Sequence, residues 1–305
     1  MQMFWRGQNN VLNVVVSCVI RSCDTSQFLV SFSYRSRMFG LFLRSLRQFV
    51  TSGTSNMPTS AAVFHSLDTI VNVLAQDEFK GEKTEKILKT YENAVKNGLV
   101  SKDQKRYPLI VFEGLDGSGK TTLSKKLAEK HNAALFCTPP SSISDIRDVF
   151  ENDKVLRTAY YSLGNYLAQI EILGKLKEKP VVLDRFWHST TAYSLAQSVH
   201  NGQIKCLPPK GDKIYNWPSD LIQPDMVVFL DVSEEERQRR HEIRNTTNTN
   251  QEQLLKSQKE FRNNIIQAYK YMENPAVNFI NVDGPIEKCV DDIYNITKYL
   301  FDNKI

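Results

Sequence analysis

Leu109-Ile-Val-Phe-Glu-Gly-Leu-Asp-Gly-Ser-Gly-Lys-Thr-Thr122 is the stretch whose reading decides the fold. Its first five residues form a short apolar run closed by Glu113, which predicts a buried strand. The next eight, Gly114 to Thr121, fit the spacing G-x-x-x-x-G-K-[ST]. Thr122–Asn132 then reads as a helix. Strand, glycine-rich loop and helix together are the context in which backbone N–H groups wrap a polyphosphate at the positive end of a helix. On this reading Gly114, Leu115, Asp116, Gly117, Ser118, Gly119, Lys120, Thr121 and Thr122 cradle ATP. Lys120 reaches its β and γ phosphates, and the Thr121 hydroxyl holds Mg²⁺.

Downstream, the chain alternates. Further strands are predicted at Ala133–Phe136, Val181–Asp184, Met226–Asp231 and Val277–Val282. Helices are predicted at 143–152, 155–178, 188–199, 233–243, 251–273 and 285–301. Near-continuous apolar strands separated by helices predict an α/β fold of the P-loop NTPase type. It should be a doubly wound, five-stranded parallel sheet with helices on both faces. The ligand should lie at the carboxyl ends of the strands. The Gly202–Pro218 segment reads as a loop insertion. Asn245–Gln251 has the polar composition of a mobile lid, and a cluster of arginines (Arg237, Arg239, Arg240, Arg244) precedes it.

Upstream, the composition changes. Residues 1–66 hold six arginines, no lysine and one acid, Asp24, so the chain's whole net charge of +5 lies there. Arg- and Ser-rich, acid-poor sequence is the signature of a mitochondrial presequence. Met38–Val50 is its best piece, with Phe39, Phe42, Leu43, Leu46 and Phe49 on one helical face and Arg44 and Arg47 off it. Met38 is accordingly a second candidate start beside Met1. Val11–Ile20 is too short to span a bilayer. Residues 67–106 read as a helical lead-in, and 107–305 as the P-loop domain. With 67–305 electrically neutral, no charge footprint for nucleic acid is expected. A hydrophobic content of 41% and a charged content of 24% exclude collagen-like, wholly disordered and disulfide-scaffold chains. Five scattered cysteines without metal-type spacing read as reduced thiols in an intracellular compartment.

At this point the residues carry a resemblance. Phe112–Thr122 resembles the P-loop of thymidylate kinases. Asp184-Arg-Phe-Trp-His-Ser-Thr-Thr-Ala-Tyr193 resembles their DR[YF]xxSxxAY signature, and Phe229–Arg237 the strand that leads into their lid. The similarity covers about 107–305. Tyr160–Tyr166, Thr138-Pro-Pro-Ser141 and Met272-Glu-Asn-Pro275 are most similar to the branch of that family that uses UMP and CMP. The resemblance implies a nucleoside monophosphate kinase acting on pyrimidine nucleotides (UMP, CMP, dUMP, dCMP), with ATP and Mg²⁺ as cofactors. The family commonly dimerises, so a homodimer is among the arrangements it implies. No membrane span is expected.

Phosphoryl transfer needs positioning and positive charge rather than a covalent nucleophile. Lys120, Asp184, Arg185, Arg240 and Arg244 are the residues expected to carry it. Asp184, with Thr121, would organise Mg²⁺, and Arg185 would clamp the acceptor phosphate. The resemblance implies that Asp116 meets the acceptor sugar hydroxyl and that Asp283-Gly-Pro285 lies where the family holds adenine. Arg157, Tyr161, Asn165, Ser189 and Tyr193 complete the expected substrate contacts. The family's loop arginine for the acceptor phosphate is absent from Thr138–Ser141, leaving Arg147 or Arg157 to replace it. Gly117 occupies the position of the P-loop arginine found in some thymidylate kinases, so Arg240 and Arg244 are expected to supply that charge. Asn165 stands where thymidylate kinases place a base-facing arginine. An amide both donates and accepts, so it suits uracil and cytosine alike. His188 and His241 are read as structural.

Three rival readings remain open from the sequence. They are a dTMP kinase, a mitochondrial deoxynucleoside kinase, and a non-catalytic nucleotide-binding protein.

Overall fold

The computed structural model describes residues 63–97, 105–151, 153–244, 255 and 257–302. Most of the stretch read as a presequence, up to residue 62, and the Asn245–Gln251 stretch read as a lid therefore lie outside the described residues. In chain order the helices and strands are α1 (Leu67–Leu74), α2 (Glu82–Asn97), β1 (Leu109–Glu113), α3 (Lys120–Lys130), β2 (Ala134–Cys137), α4 (Arg147–Phe150), α5 (Lys154–Lys175), β3 (Val181–Asp184), α6 (Trp187–His200), β4 (Met226–Asp231), α7 (Glu234–Arg244), α8 (Lys259–Tyr271), β5 (Val277–Asn281) and α9 (Ile286–Asp302).

The five strands form one sheet in the order β2-β3-β1-β4-β5, and every pairing is parallel. Period-two alternation sorts the strand side chains into two layers. Leu109, Val111, Val181, Leu183, Val227 and Phe229 face the core shared with α1, α2, α5, α6 and α8. Ile110, Phe112, Val182, Val228 and Leu230 face the second core, beside Leu123 and Leu127 of α3 and Val290 and Ile293 of α9. Both faces are therefore covered, as the apolar strands required. The chain passes from β1 outward to β2 and β3, then crosses to β4 on the other side of β1. The crevice opened by that reversal lies at the carboxyl ends of β1 and β3, where the P-loop and Asp184 emerge.

Two regions depart from the sequence expectation. The helix expected over 143–152 is a 3-10 turn, Ser141–Ile146, followed by the short α4. Serines there compete with the helical ladder: Ser144 Oγ bonds back to the Ser141 carbonyl at 2.9 Å. The second departure is at residue 66. Folded structure begins before that boundary, because the Phe64 carbonyl accepts a hydrogen bond from the buried Trp187 indole at 3.1 Å. His65 meets the Ile214 carbonyl of the insertion loop, and the Leu67 amide donates to Asp220 at 2.7 Å. Ser66 caps α1 by accepting from the Thr69 amide. The lead-in helices thus bury Ile70, Leu74 and Ile87 in the same core as α5 and α6.

Candidate active site

The P-loop needs its glycines for space and for backbone conformation. Gly114 has φ +143, and a Cβ there would sit 2.7 Å from Ser118 Oγ and 3.0 Å from the Leu230 carbonyl. Gly119, in the left-handed region, ends the loop and starts α3 without a side-chain cap. The first amides of α3 are thereby available to an anion. Thr122 lies exposed on that first turn. Lys120 is buried, and its Nζ donates to the Leu115 carbonyl at 2.8 Å with Asp116 Oδ1 at 3.9 Å. Burial, seconded by the nearby Arg185 charge, pushes its pKa down to about 8. An ammonium so poorly solvated gains strongly from a phosphate oxygen.

Thr121 Oγ1 donates to Asp184 Oδ2 at 3.0 Å, while Asp184 Oδ1 is buried with no hydrogen-bond partner. A hydroxyl, a carboxylate and an unmatched carboxylate oxygen at the mouth of a phosphate loop fit Mg²⁺, a hard cation that takes one or two carboxylates plus substrate phosphates. Among the described residues there is no cluster of three or more metal-type side chains, so no all-protein cage is built.

Arg185 adopts φ +67, a left-handed conformation uncommon for a residue with a Cβ. Its amide donates to the Phe112 carbonyl at 2.9 Å, and its carbonyl accepts from Thr138 Oγ1 at 2.9 Å. The guanidinium is paired with Asp116 and lies over the Tyr193 ring, 5.5 Å from its centroid. Burial opposes its charge most, but Asp116 together with Tyr193, Tyr269 and Asp184 outweighs this and holds its pKa well above the usual arginine range. Tyr193 Oη is buried and unpartnered. Asp116, Lys120, Arg185 and Tyr193 are therefore brought together, as the sequence suggested. The Asp116 carboxylate is tolerated in the loop because two cations face it.

Ser189 is not at the substrate face. Its hydroxyl donates to Glu113 Oε2 at 2.7 Å, so in this structure its proton is committed to a buried carboxylate. Sequence reading passed over Glu113, taking it only as the end of a strand. It is fully buried, and burial pushes its pKa up despite Arg185 and its hydrogen bonds. The available signal was a carboxylate closing an otherwise apolar run.

On the base side, Asn165 is 1% exposed. Its Nδ2 donates to Thr190 Oγ1 at 3.2 Å, and its Oδ1 is buried with no partner. One helical turn earlier, the Tyr161 hydroxyl donates to Glu151 at 3.1 Å. Both candidate replacement arginines converge on that carboxylate, Arg147 at 2.8 Å and Arg157 at 3.8 Å. The choice between Arg147 and Arg157 thus becomes a shared cluster. Sequence reasoning missed Glu151, which gathers that cluster, and Thr190, which anchors Asn165.

Arg240 bridges two backbone carbonyls, Ser118 at 3.1 Å and Val282 at 2.6 Å, and pairs with Glu236. It therefore joins the P-loop to the exit of β5. Asp283, in that exit, accepts from the Ser233 amide at 2.8 Å, which lowers its pKa and ties the segment to the start of α7. Arg244 is the last residue of α7, and its side chain lies outside the described residues, as does that of His241. Arg237 is fully buried, donating to Glu234, to the Asp116 carbonyl at 3.3 Å and to the Leu255 carbonyl at 3.2 Å. His188 is buried beside Trp217, with its pKa lowered to about 4 by burial, so it is neutral.

Residues 112–293 match the family described as Thymidylate kinase. The chain is 36% identical over 197 residues to UMP-CMP kinase 2, mitochondrial, of Homo sapiens; the match covers 64% of this chain and 44% of that protein. The chain thus spans less than half the length of that relative. It is 31% identical over 196 residues to a probable thymidylate kinase of Methanococcus maripaludis, covering 61% of this chain and 92% of that one. The thymidylate kinase of Candida albicans shares the fold, with a TM-score of 0.50 at 20% identity, over 66% of this chain and 95% of that structure. P-loop, Asp184-Arg185 pair and parallel sheet agree with the matched region, and the chain belongs to the thymidylate kinase family.

Proposed function

We propose that this chain is an ATP-dependent nucleoside monophosphate kinase that phosphorylates UMP, CMP, dUMP and dCMP. An oxygen of the acceptor phosphate bonds to the γ-phosphorus as the bond to the β–γ bridging oxygen breaks, giving a diphosphate and ADP. Thr121 and Asp184 would hold Mg²⁺, which would supply charge neutralisation to the phosphates. Lys120 offers its ammonium to the β and γ oxygens. Arg185 aligns the acceptor phosphate, and Asp116 keeps that guanidinium oriented until the acceptor arrives. Arg240, between Ser118 and Val282, closes the base end of the ATP site, leaving Arg244 as the lid arginine for transition-state charge.

The observation that carries the pyrimidine reading is the Asn165 amide, anchored at one end by Thr190 and unmatched at the other. A hydroxyl accepts as readily as it donates, so the amide can present either oxygen or nitrogen to position 4 of the ring. Uracil and cytosine are then read at similar energy, whereas an arginine would repel the cytosine amino group. A panel of monophosphates with ATP–Mg²⁺ tests this, with UMP- and CMP-type acceptors expected to outrun dTMP. Asn165→Arg is expected to depress cytidylate use about 10-fold, roughly 1.4 kcal/mol, while sparing uridylate and thymidylate. A wild type that prefers dTMP refutes the reading.

Against a deoxynucleoside kinase, two carboxylates beside the P-loop, Glu113 and Asp116, are engaged. Glu113 accepts four hydrogen bonds and Asp116 pairs with Arg185, so neither is poised as a base for a sugar hydroxyl. Against a non-catalytic role, Lys120, Asp184 and Arg185 are all present and assembled. The proposed location is the mitochondrion, supported by the arginine-rich leader and by the similarity to a mitochondrial human protein. Residues 1–62 fused to a fluorescent reporter are expected to carry it into mitochondria, and a cytosolic or secreted reporter would overturn the assignment. Among the described residues no helix is long and apolar enough to cross a membrane.

A further inference from the structure

Glu113 draws four neutral donors from two other elements into one buried point. The Phe186 and Ser189 amides reach Oε1 at 2.9 and 3.3 Å, and the Ser189 and Tyr269 hydroxyls reach Oε2 at 2.7 and 2.8 Å. A carboxylate this deep is tolerated only when its oxygens are matched. The two amides belong to the entry of α6, immediately after Arg185. Arg185 itself sits in a left-handed conformation that a side chain disfavours, so neighbouring contacts must hold it. The Phe112 carbonyl holds the peptide before it, and Glu113 holds the peptide after it. Two consecutive residues of β1 thus grip the two sides of one arginine.

We propose that Glu113 is a positioning residue for the acceptor phosphate. By fixing the Phe186 and Ser189 amides it sets the turn that aims the Arg185 guanidinium, and through Tyr269 it ties this turn to α8, the helix that follows the lid segment. The inference rests on reading Arg185 as the acceptor-phosphate contact. It assigns specificity-neutral control of acceptor alignment to a residue that touches no substrate.

Tyr269→Phe is the cleanest test, because the ring stays packed on Phe229, with centroids 4.7 Å apart, and only one hydroxyl is lost. Acceptor kcat/KM is expected to fall about fivefold, mainly through acceptor KM, with the KM for ATP unchanged. Glu113→Gln should lose more, about tenfold or beyond, and Glu113→Asp should recover part of it. Should Glu113→Gln fail to fold, Ser189→Ala removes a second donor and replaces it. In an Arg185→Lys background, Tyr269→Phe should add little, since both then act on the same contact. A lowered melting temperature with unchanged acceptor kinetics, or equal losses for ATP and acceptor, overturns the inference. Wild-type turnover separates the two levels. An inert wild type refutes the functional reading, whereas an active wild type with indifferent variants refutes this inference alone.

Discussion

Lys120→Ala is expected to fold and to lose at least about 10²-fold in turnover, a transition-state loss of roughly 3 kcal/mol. The expectation follows from where the ammonium sits. It is buried against the Leu115 carbonyl, in a setting that lowers its pKa to about 8. Little water competes with phosphate for it, and a low local dielectric strengthens its attraction to charge developing on the transferred group. Deleting it removes that charge from beside the Leu115 carbonyl and the Asp116 carboxylate. Steady-state ADP release together with a thermal melt is the measurement. A folded variant with near-normal turnover would refute the phosphoryl-transfer reading of the loop.

Arg185→Ala is expected to be as damaging for a different reason. The guanidinium is paired with Asp116, inside the phosphate loop. Removing it deletes the acceptor-phosphate clamp and also takes a paired cation away from the Asp116 carboxylate in the phosphate loop. Breaking one side of such a pair leaves the other side's charge uncompensated. Acceptor kcat/KM should fall by about 10³-fold, roughly 4 kcal/mol. ATP affinity should weaken too, because Asp116 now repels it. Adding Asp116→Asn to Arg185→Ala should restore ATP affinity while leaving acceptor use low. Titration calorimetry with a non-hydrolysable ATP analogue reads the first effect, and initial rates against acceptor concentration read the second. Recovery of neither would mean that Asp116 and Arg185 act independently.

The strands were legible to within a residue: β1, β3 and β4 are short apolar runs buried on both faces, and the edge strands β2 and β5 keep short apolar segments although alternate residues are exposed. The P-loop was legible because its glycines are demanded by contact, as the 2.7 Å approach at Gly114 illustrates. What the sequence concealed lies in pairings across the sheet. Ser189 sits within a signature stretch, yet nothing local reveals that its hydroxyl meets a glutamate 76 residues earlier. Glu113 looked like a strand end because its four donors come from α6 and α8, elements with no sequence proximity to it. Arg147 and Arg157 were alternatives in one dimension and become one cluster in three, gathered by Glu151. The helix expected over 143–152 gives way for a local reason, the Ser144 hydroxyl bonding to the Ser141 carbonyl.

The clasp between the lead-in and the insertion loop has a kinetic consequence. Phe64, His65 and Leu67 find their partners 123, 149 and 153 residues further along the chain. Contacts of such separation close large loops and come late, after the entropy of bringing distant segments together has been met. The first described helix to emerge from a ribosome or a translocation pore is therefore among the last to be fixed. Until Trp187, Ile214 and Asp220 have followed it, α1 and α2 have α5 to pack on but lack the clasp that fixes them, and the chain must be kept from associating through Ile70, Leu74 and Ile87 meanwhile.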